Sequence, residues 1–127
     1  MSRGILDTSV LIAGDVQPIP GEFAISVISL DELDYGVLVA KSEDTRAVRL
    51  ARLVGLQKRF DPLPVDEAVA DSYGRPAARV VNQGRQPRVR VMDLQIAATA
   101  NAHSATLYTR SAVDLKGLED LVDVVAI

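Results

Sequence analysis

The sequence predicts an α/β fold around a mainly parallel sheet, carried by one domain spanning residues 1–127. Two observations support this. Short, β-branched runs alternate along the chain with longer stretches of helical period, as a parallel sheet with crossover helices requires. These runs are apolar residue after residue rather than every second residue, the pattern of strands covered on both faces. The length of 127 residues suits one well-filled core and is too short for two.

Gly4-Ile5-Leu6 reads as a buried strand ending at Asp7, and Thr8 to Ala13 as the helix that follows, with Asp7 or Thr8 near its cap. Asp15 to Gly21 holds Pro18, Pro20 and Gly21 and is a loop. Phe23 to Ile28 is a second strand. Ser29 stands three positions before Glu32, the form of a capping box, so a helix is expected to open there and run to about Ala40. Glu43 to Arg59 repeats Val48, Leu50, Leu53, Val54 and Leu56 near the helical period.

Phe60 to Val65 contains two prolines and suits an edge strand. Asp66 to about Val81 reads as a helix that Pro76 should kink. Asn82 to Val89, with Gly84 and Pro87, is a loop. Asp93 to Ala102 is nearly apolar all round and so a buried helix. Ala105 to Thr109 is another strand. A turn through Asp114, Leu115 and Lys116 leads to a short Leu118–Leu121 segment, and Val122 to Ile127 is the last strand.

Composition narrows the chemistry. There is no cysteine, which removes disulfides, thiolate metal sites and thiol nucleophiles and suits a cytoplasmic protein. No run approaches the roughly 18 apolar residues of a membrane span, and Asp7 interrupts the start before a signal peptide can form. The net charge of −3 argues against an all-over nucleic-acid coat. Between Ser72 and Met92, however, lie Arg75, Arg79, Arg85, Arg88 and Arg90 with no acid among them. Such a segment is either a solvated face or a local patch for a polyanion, and Arg85, Arg88 and Arg90 are the candidate RNA contacts.

Four acids stand where strands and helices meet: Asp7, Glu32, Asp93 and Asp114. Each alone is explained as a helix cap or a dipole partner. Together they converge on the carboxyl edge of a parallel sheet, where ligand sites of open α/β folds form. Carboxylates crowded there repel, and no Lys or Arg lies within a helical turn of Glu32. A hard divalent cation, Mg²⁺ or Mn²⁺, would resolve the repulsion and favours oxygen ligands. The lone His103 sits near the end of the Asp93 helix and reads as structural, which makes zinc improbable. Ions so held can activate water against a phosphodiester. Thr8, Ser9, Thr109 and Ser111 adjoin the acids and are candidates for fixing them.

The ordered set Ile5-Leu6-Asp7-Thr8-Ser9-Val10, Ile25 to Leu33 with Gly36, Asp93 to Ala100, and Leu107 to Ser111 with Asp114 resembles the PIN-domain family, in particular the VapC toxins of bacterial toxin–antitoxin pairs. The resemblance implies a three-layer α/β/α sandwich, Mg²⁺ or Mn²⁺ at the acids, and endonucleolytic cleavage of RNA. By position Asp7, Glu32, Asp93 and Asp114 match the family's acidic quartet. It further implies a homodimer and a cognate VapB-type antitoxin that inserts a segment across the acidic cleft. The chain departs from the family pattern at Ser9 and Ser111, where Asn is frequent, and at Leu115, where Phe is usual. The Asp7–Glu32 interval is also short.

A haloacid-dehalogenase-type phosphatase would need an acid where Ser9 stands, and a receiver domain would need acids before Asp7 and a Lys where Arg110 stands. Two alternatives keep the fold: an RNA-processing nuclease without an antitoxin, and a non-catalytic RNA- or protein-binding module.

Overall fold

The computed structural model describes residues 3–15, 19–85 and 91–127. Strand β1 (Arg3–Leu6) leads into the short helix α1 (Thr8–Leu11), and β2 (Glu22–Ala24) into α2 (Val27–Leu38). Helices α3 (Glu43–Arg59), α4 (Glu67–Asn82) and α5 (Val91–Ala102) follow. The chain then forms β3 (Thr106–Thr109), a 3₁₀ turn (Ala112–Leu115) and β4 (Val124–Ala126).

The four strands lie in the order β2-β1-β3-β4 and every neighbouring pair is parallel. The α/β class expected from the apolar runs is therefore the one observed. Gly4 faces Phe23 on one side and Thr106 on the other, and Leu107 faces Val124. A Cβ at Gly4 would lie 2.6 Å from the Phe23 ring, which stacks edge-on against Tyr108 with centroids 5.3 Å apart. Glycine is required there to let two aromatic rings meet across the sheet.

The main core joins Ile5 and Leu107 of the sheet to Leu94, Ile96, Ala97 and Ala100 of α5, with Val80 of α4 and Leu118 behind them. Each fully buried Ile or Leu side chain contributes about 1.5–3 kcal/mol. A smaller cluster of Leu33, Val37, Leu53 and Leu56 holds α2 against α3. The arginines of α3 complete this hairpin: Arg46 donates to the carbonyls of Val37 and Ala40, and Arg49 to that of Gly36. They satisfy carbonyls that the end of α2 leaves open.

Several boundaries differ from the sequence reading. Helix α2 begins two residues before Ser29, because the Ser26 hydroxyl accepts from the Ile28 amide at 3.0 Å and caps it. Strand β2 stops at Ala24 accordingly. The proline-broken segment Phe60–Val65 forms a single parallel bridge at Leu63 to Ser26 rather than a strand. Leu63 donates to the Ile25 carbonyl and accepts from the Val27 amide, and the prolines on either side leave no donors to extend the ladder. Helix α4 runs on through the buried Pro76. It ends at Asn82, and just beyond it, at Gly84 (φ 75°), the amides of Gly84 and Arg85 close back on the carbonyls of Val81 and Val80. Among the described residues no helix is long and apolar enough to cross a membrane.

Candidate active site

Asp7 leaves the carboxyl end of β1, its amide still bonded to the Tyr108 carbonyl of β3 at 2.9 Å. This anchors it on the sheet edge where the parallel strands all end. Its side chain is only 8% exposed and makes no cap to α1, although Asp7 is the residue before that helix. The capping explanation that fits any such Asp does not apply here. Instead Asp7 Oδ2 accepts from Ser9 Oγ at 2.6 Å and from Thr109 Oγ1 at 2.8 Å. The two hydroxyls are themselves oriented, since Ser9 Oγ accepts from the Arg110 amide and Thr109 Oγ1 from the Ser111 amide, each at 2.9 Å. Ser111 thus serves through its backbone N–H, not through the hydroxyl that made it a candidate.

Glu32 lies in the second turn of α2, too far along to cap it. Its Oε1 accepts from Thr8 Oγ1 at 2.7 Å, and Thr8 Oγ1 also stands 2.8 Å from the buried Ser29 Oγ. Thr8 has one hydroxyl proton and gives it to Glu32, so Ser29 must donate to Thr8. A chain of two hydroxyls therefore sets the Glu32 rotamer. Ser29 was legible as a motif residue but in the wrong role, a cap instead of a support.

Burial pushes the Glu32 carboxyl above its ordinary range; the Thr8 hydrogen bond opposes this, and the charges of Asp93, Asp7 and Asp31 add to the rise. Asp93 acts from the first turn of α5. Two of the other expected acids, Asp7 and Asp93, are thereby near enough for their charges to act on Glu32. Asp114 sits on the 3₁₀ turn and is not among the charges acting on Glu32. Its backbone carbonyl takes Arg85 Nη2 at 3.2 Å, beside a hollow lined by Gln83, Val113 and Lys116.

Charging Glu32 costs the folded chain more than the unfolded one. The stability this group contributes is complete below its ordinary pKa of 4.5 and is lost as pH rises through the raised folded value. In buffer with a chelator, Glu32→Gln is expected to melt above the parent at pH 7, and the gap is expected to shrink by pH 4. Equal melting curves at pH 7 would show that Glu32 bears no such cost.

The predicted arginine patch is partly consumed by the fold. Arg79 donates to both carboxylate oxygens of Asp120, at 2.8 and 3.1 Å, and Arg85 is engaged at Asp114. Arg88 and Arg90 lie outside the described residues. Other arginines, Arg49 and Arg52, share a groove with Glu32. A groove of about 670 Å³ between α2 and α3 is lined by Thr8, Glu32 and Leu33 on one side and by Val48, Arg49 and Arg52 on the other. The spacing of Arg46, Arg49 and Arg52 three apart marks one helix face, a signal present in the sequence. His103 is remote, lining a small pocket with Arg3, Glu22 and Phe23 near the opposite ends of the strands.

The family model of the PIN domain matches residues 5–111 of the chain. Ribonuclease VapC5 of Mycobacterium tuberculosis is 40% identical over 115 residues, covering 86% of this chain and 83% of that one. Ribonuclease VapC8 of the same species is 40% identical over 101 residues, 76% of this chain and 89% of that one. Among solved structures, the toxin–antitoxin complex VapBC-5 of M. tuberculosis contains a chain superposing with a TM-score of 0.84 at 38% identity, covering 100% of this chain and 98% of its own.

Proposed function

The chain belongs to the PIN-domain family, and on that premise we propose that it is a VapC-type endoribonuclease toxin that hydrolyses RNA phosphodiesters at its acidic crevice. The observation that carries the reading is the gathering of Asp7, Glu32 and Asp93 on the carboxyl edge of the sheet. One acid is fixed by two hydroxyls, and another is held against its own tendency to neutralise. Carboxylates gathered in a cleft, one of them with its pKa raised by burial and neighbouring charge, mark a candidate functional site.

The donor set fits Mg²⁺ or Mn²⁺. It is oxygen only, with no cysteine in the chain and His103 far off. Among the described residues no three such ligands already surround one point. Mg²⁺ takes one or two carboxylates directly and keeps several of its waters. When bound, such an ion lowers the pKa of a water and stabilises charge on the departing oxygen. Asp7 and Asp93 are the residues that would hold it. Glu32, steadied by Thr8 and Ser29, orients the attacking water and accepts its proton; the raised pKa suits a proton acceptor. Ser9 and Thr109 keep Asp7 from turning away. Asp114 is the fourth acid of the proposed set.

A cognate VapB-type antitoxin is the proposed restraint. Exposed apolar side chains give a protein partner, or a second copy, surface to cover: Ile12 (50% exposed) after α1, and Tyr35 (67%) and Leu38 (71%) on α2. The similarity to a chain of the VapBC-5 toxin–antitoxin system favours the toxin reading over a nuclease that works alone.

The chemistry of the ends tests the reaction. In hydrolysis by water the new bond is water oxygen to phosphorus, and the bond to the 3′ oxygen breaks. Purified protein acting on a defined RNA is expected to leave 5′-phosphate and 3′-hydroxyl ends. Ends carrying a 2′,3′-cyclic phosphate would mean attack by the ribose hydroxyl and would remove this role for the acids.

A further inference from the structure

The inference rests on the nuclease reading and adds to it a residue that receives the substrate's backbone. The groove between α2 and α3 opens at one end on Thr8 and Glu32, so a strand bent into the acidic crevice has this channel beside it. Arg49 and Arg52 line its α3 side, with Arg46 one turn before them on the helix, and the three are not equivalent. Arg46 donates through Nε and Nη2 to the Val37 and Ala40 carbonyls at 3.3 and 2.8 Å, and Arg49 through Nη1 to the Gly36 carbonyl at 2.7 Å. Both hold the α2–α3 hairpin together. Arg52 is half-buried, lines the groove, and among the described residues has no hydrogen-bond or ion-pair partner.

A guanidinium set into a groove wall with all its donors unused is suited to an incoming anion. The substrate supplies one. RNA is a polyanion that must approach three carboxylates, and a cation on the groove wall offsets that repulsion. We propose that Arg52 binds a non-bridging phosphate oxygen of the RNA strand, on a nucleotide flanking the cleaved bond, and so threads the strand along the α2–α3 groove. Asp44 lines the same groove and limits the anion path to a short one. This places a phosphate contact on α3, while Arg79 and Arg85 already have partners.

The test compares wild type, Arg52→Ala and Arg52→Lys as full chains on one defined single-stranded RNA, across salt concentrations. Arg52→Ala is expected to raise KM about tenfold with little change in kcat, and to make the salt dependence of kcat/KM shallower by about 0.7 in slope, the loss of one phosphate contact. Arg52→Lys should recover part of the KM. Melting temperatures should not move, since Arg52 holds nothing in the fold. Unchanged KM and slope in Arg52→Ala, with Asp7→Asn inactive in the same assay, would overturn the Arg52 assignment and leave the nuclease reading standing. The same holds if Arg52→Ala affects only inhibition by a partner protein. An Asp7→Asn variant that still cleaves would remove the nuclease reading, and the Arg52 assignment with it.

Discussion

Asp7→Asn is expected to lower RNA cleavage about a thousandfold or more while leaving the fold intact. The two halves of that expectation come from different features of the same side chain. Asparagine has the volume of aspartate, and its amide oxygen can accept the two hydrogen bonds that Ser9 and Thr109 now give to Oδ2. The side chain is nearly buried, so an unfilled or unpaired replacement would be costly, and Asn is neither. What is lost is the charge. A carboxylate at the reacting centre supports several kcal/mol of transition-state stabilisation through the cation it holds, and each 1.4 kcal/mol is about tenfold in rate. Losing that charge also relieves Glu32, one of whose pKa-raising neighbours is Asp7. The variant should therefore melt no lower than the parent. A folded Asp7→Asn protein retaining more than about a tenth of the activity would separate Asp7 from the reaction.

Much of this site could be read from the sequence because its anchors are local. Asp7 follows an apolar run, and an acid after a strand of a parallel sheet falls on the ligand-binding edge whatever the remaining chain does. Thr8, Ser9 and Thr109 were legible as neighbours of that edge. What escaped was what depends on pairing between distant segments. Ser26 and Ser29 both look like caps to Glu32's helix; the Leu63 bridge, 37 residues beyond Ser26, pins the chain so that Ser26 takes the cap and Ser29 turns inward to Thr8.

Arginine partners are hidden in the sequence for the same reason. Arg79, in a run without acids, finds Asp120 forty-one positions away, and elsewhere Arg110 finds Asp15 ninety-five away at 2.7 Å. Conversely, Arg52 sits in an unremarkable amphipathic helix. Its place opposite Glu32 exists only because α3 folds back along α2. Asp114 shows the limit of reading acids in order. Its spacing puts it after β3 with the others, but on the 3₁₀ turn its backbone carbonyl takes Arg85 and its charge is not among those that act on Glu32.

The central claim is that these acids work through a divalent cation, and withdrawing the cation tests it most directly. Three carboxylates held together repel, and water at an unassisted site has no means of attacking a phosphodiester at neutral pH. RNA cleavage by the purified protein, stripped with a chelator and then titrated with Mg²⁺ or Mn²⁺, is therefore expected to fall to background and to return along a saturating curve. Mn²⁺ should also raise the melting temperature of the parent and not that of Asp7→Asn, a readout independent of turnover. Cleavage that persists undiminished in the chelator would contradict the account.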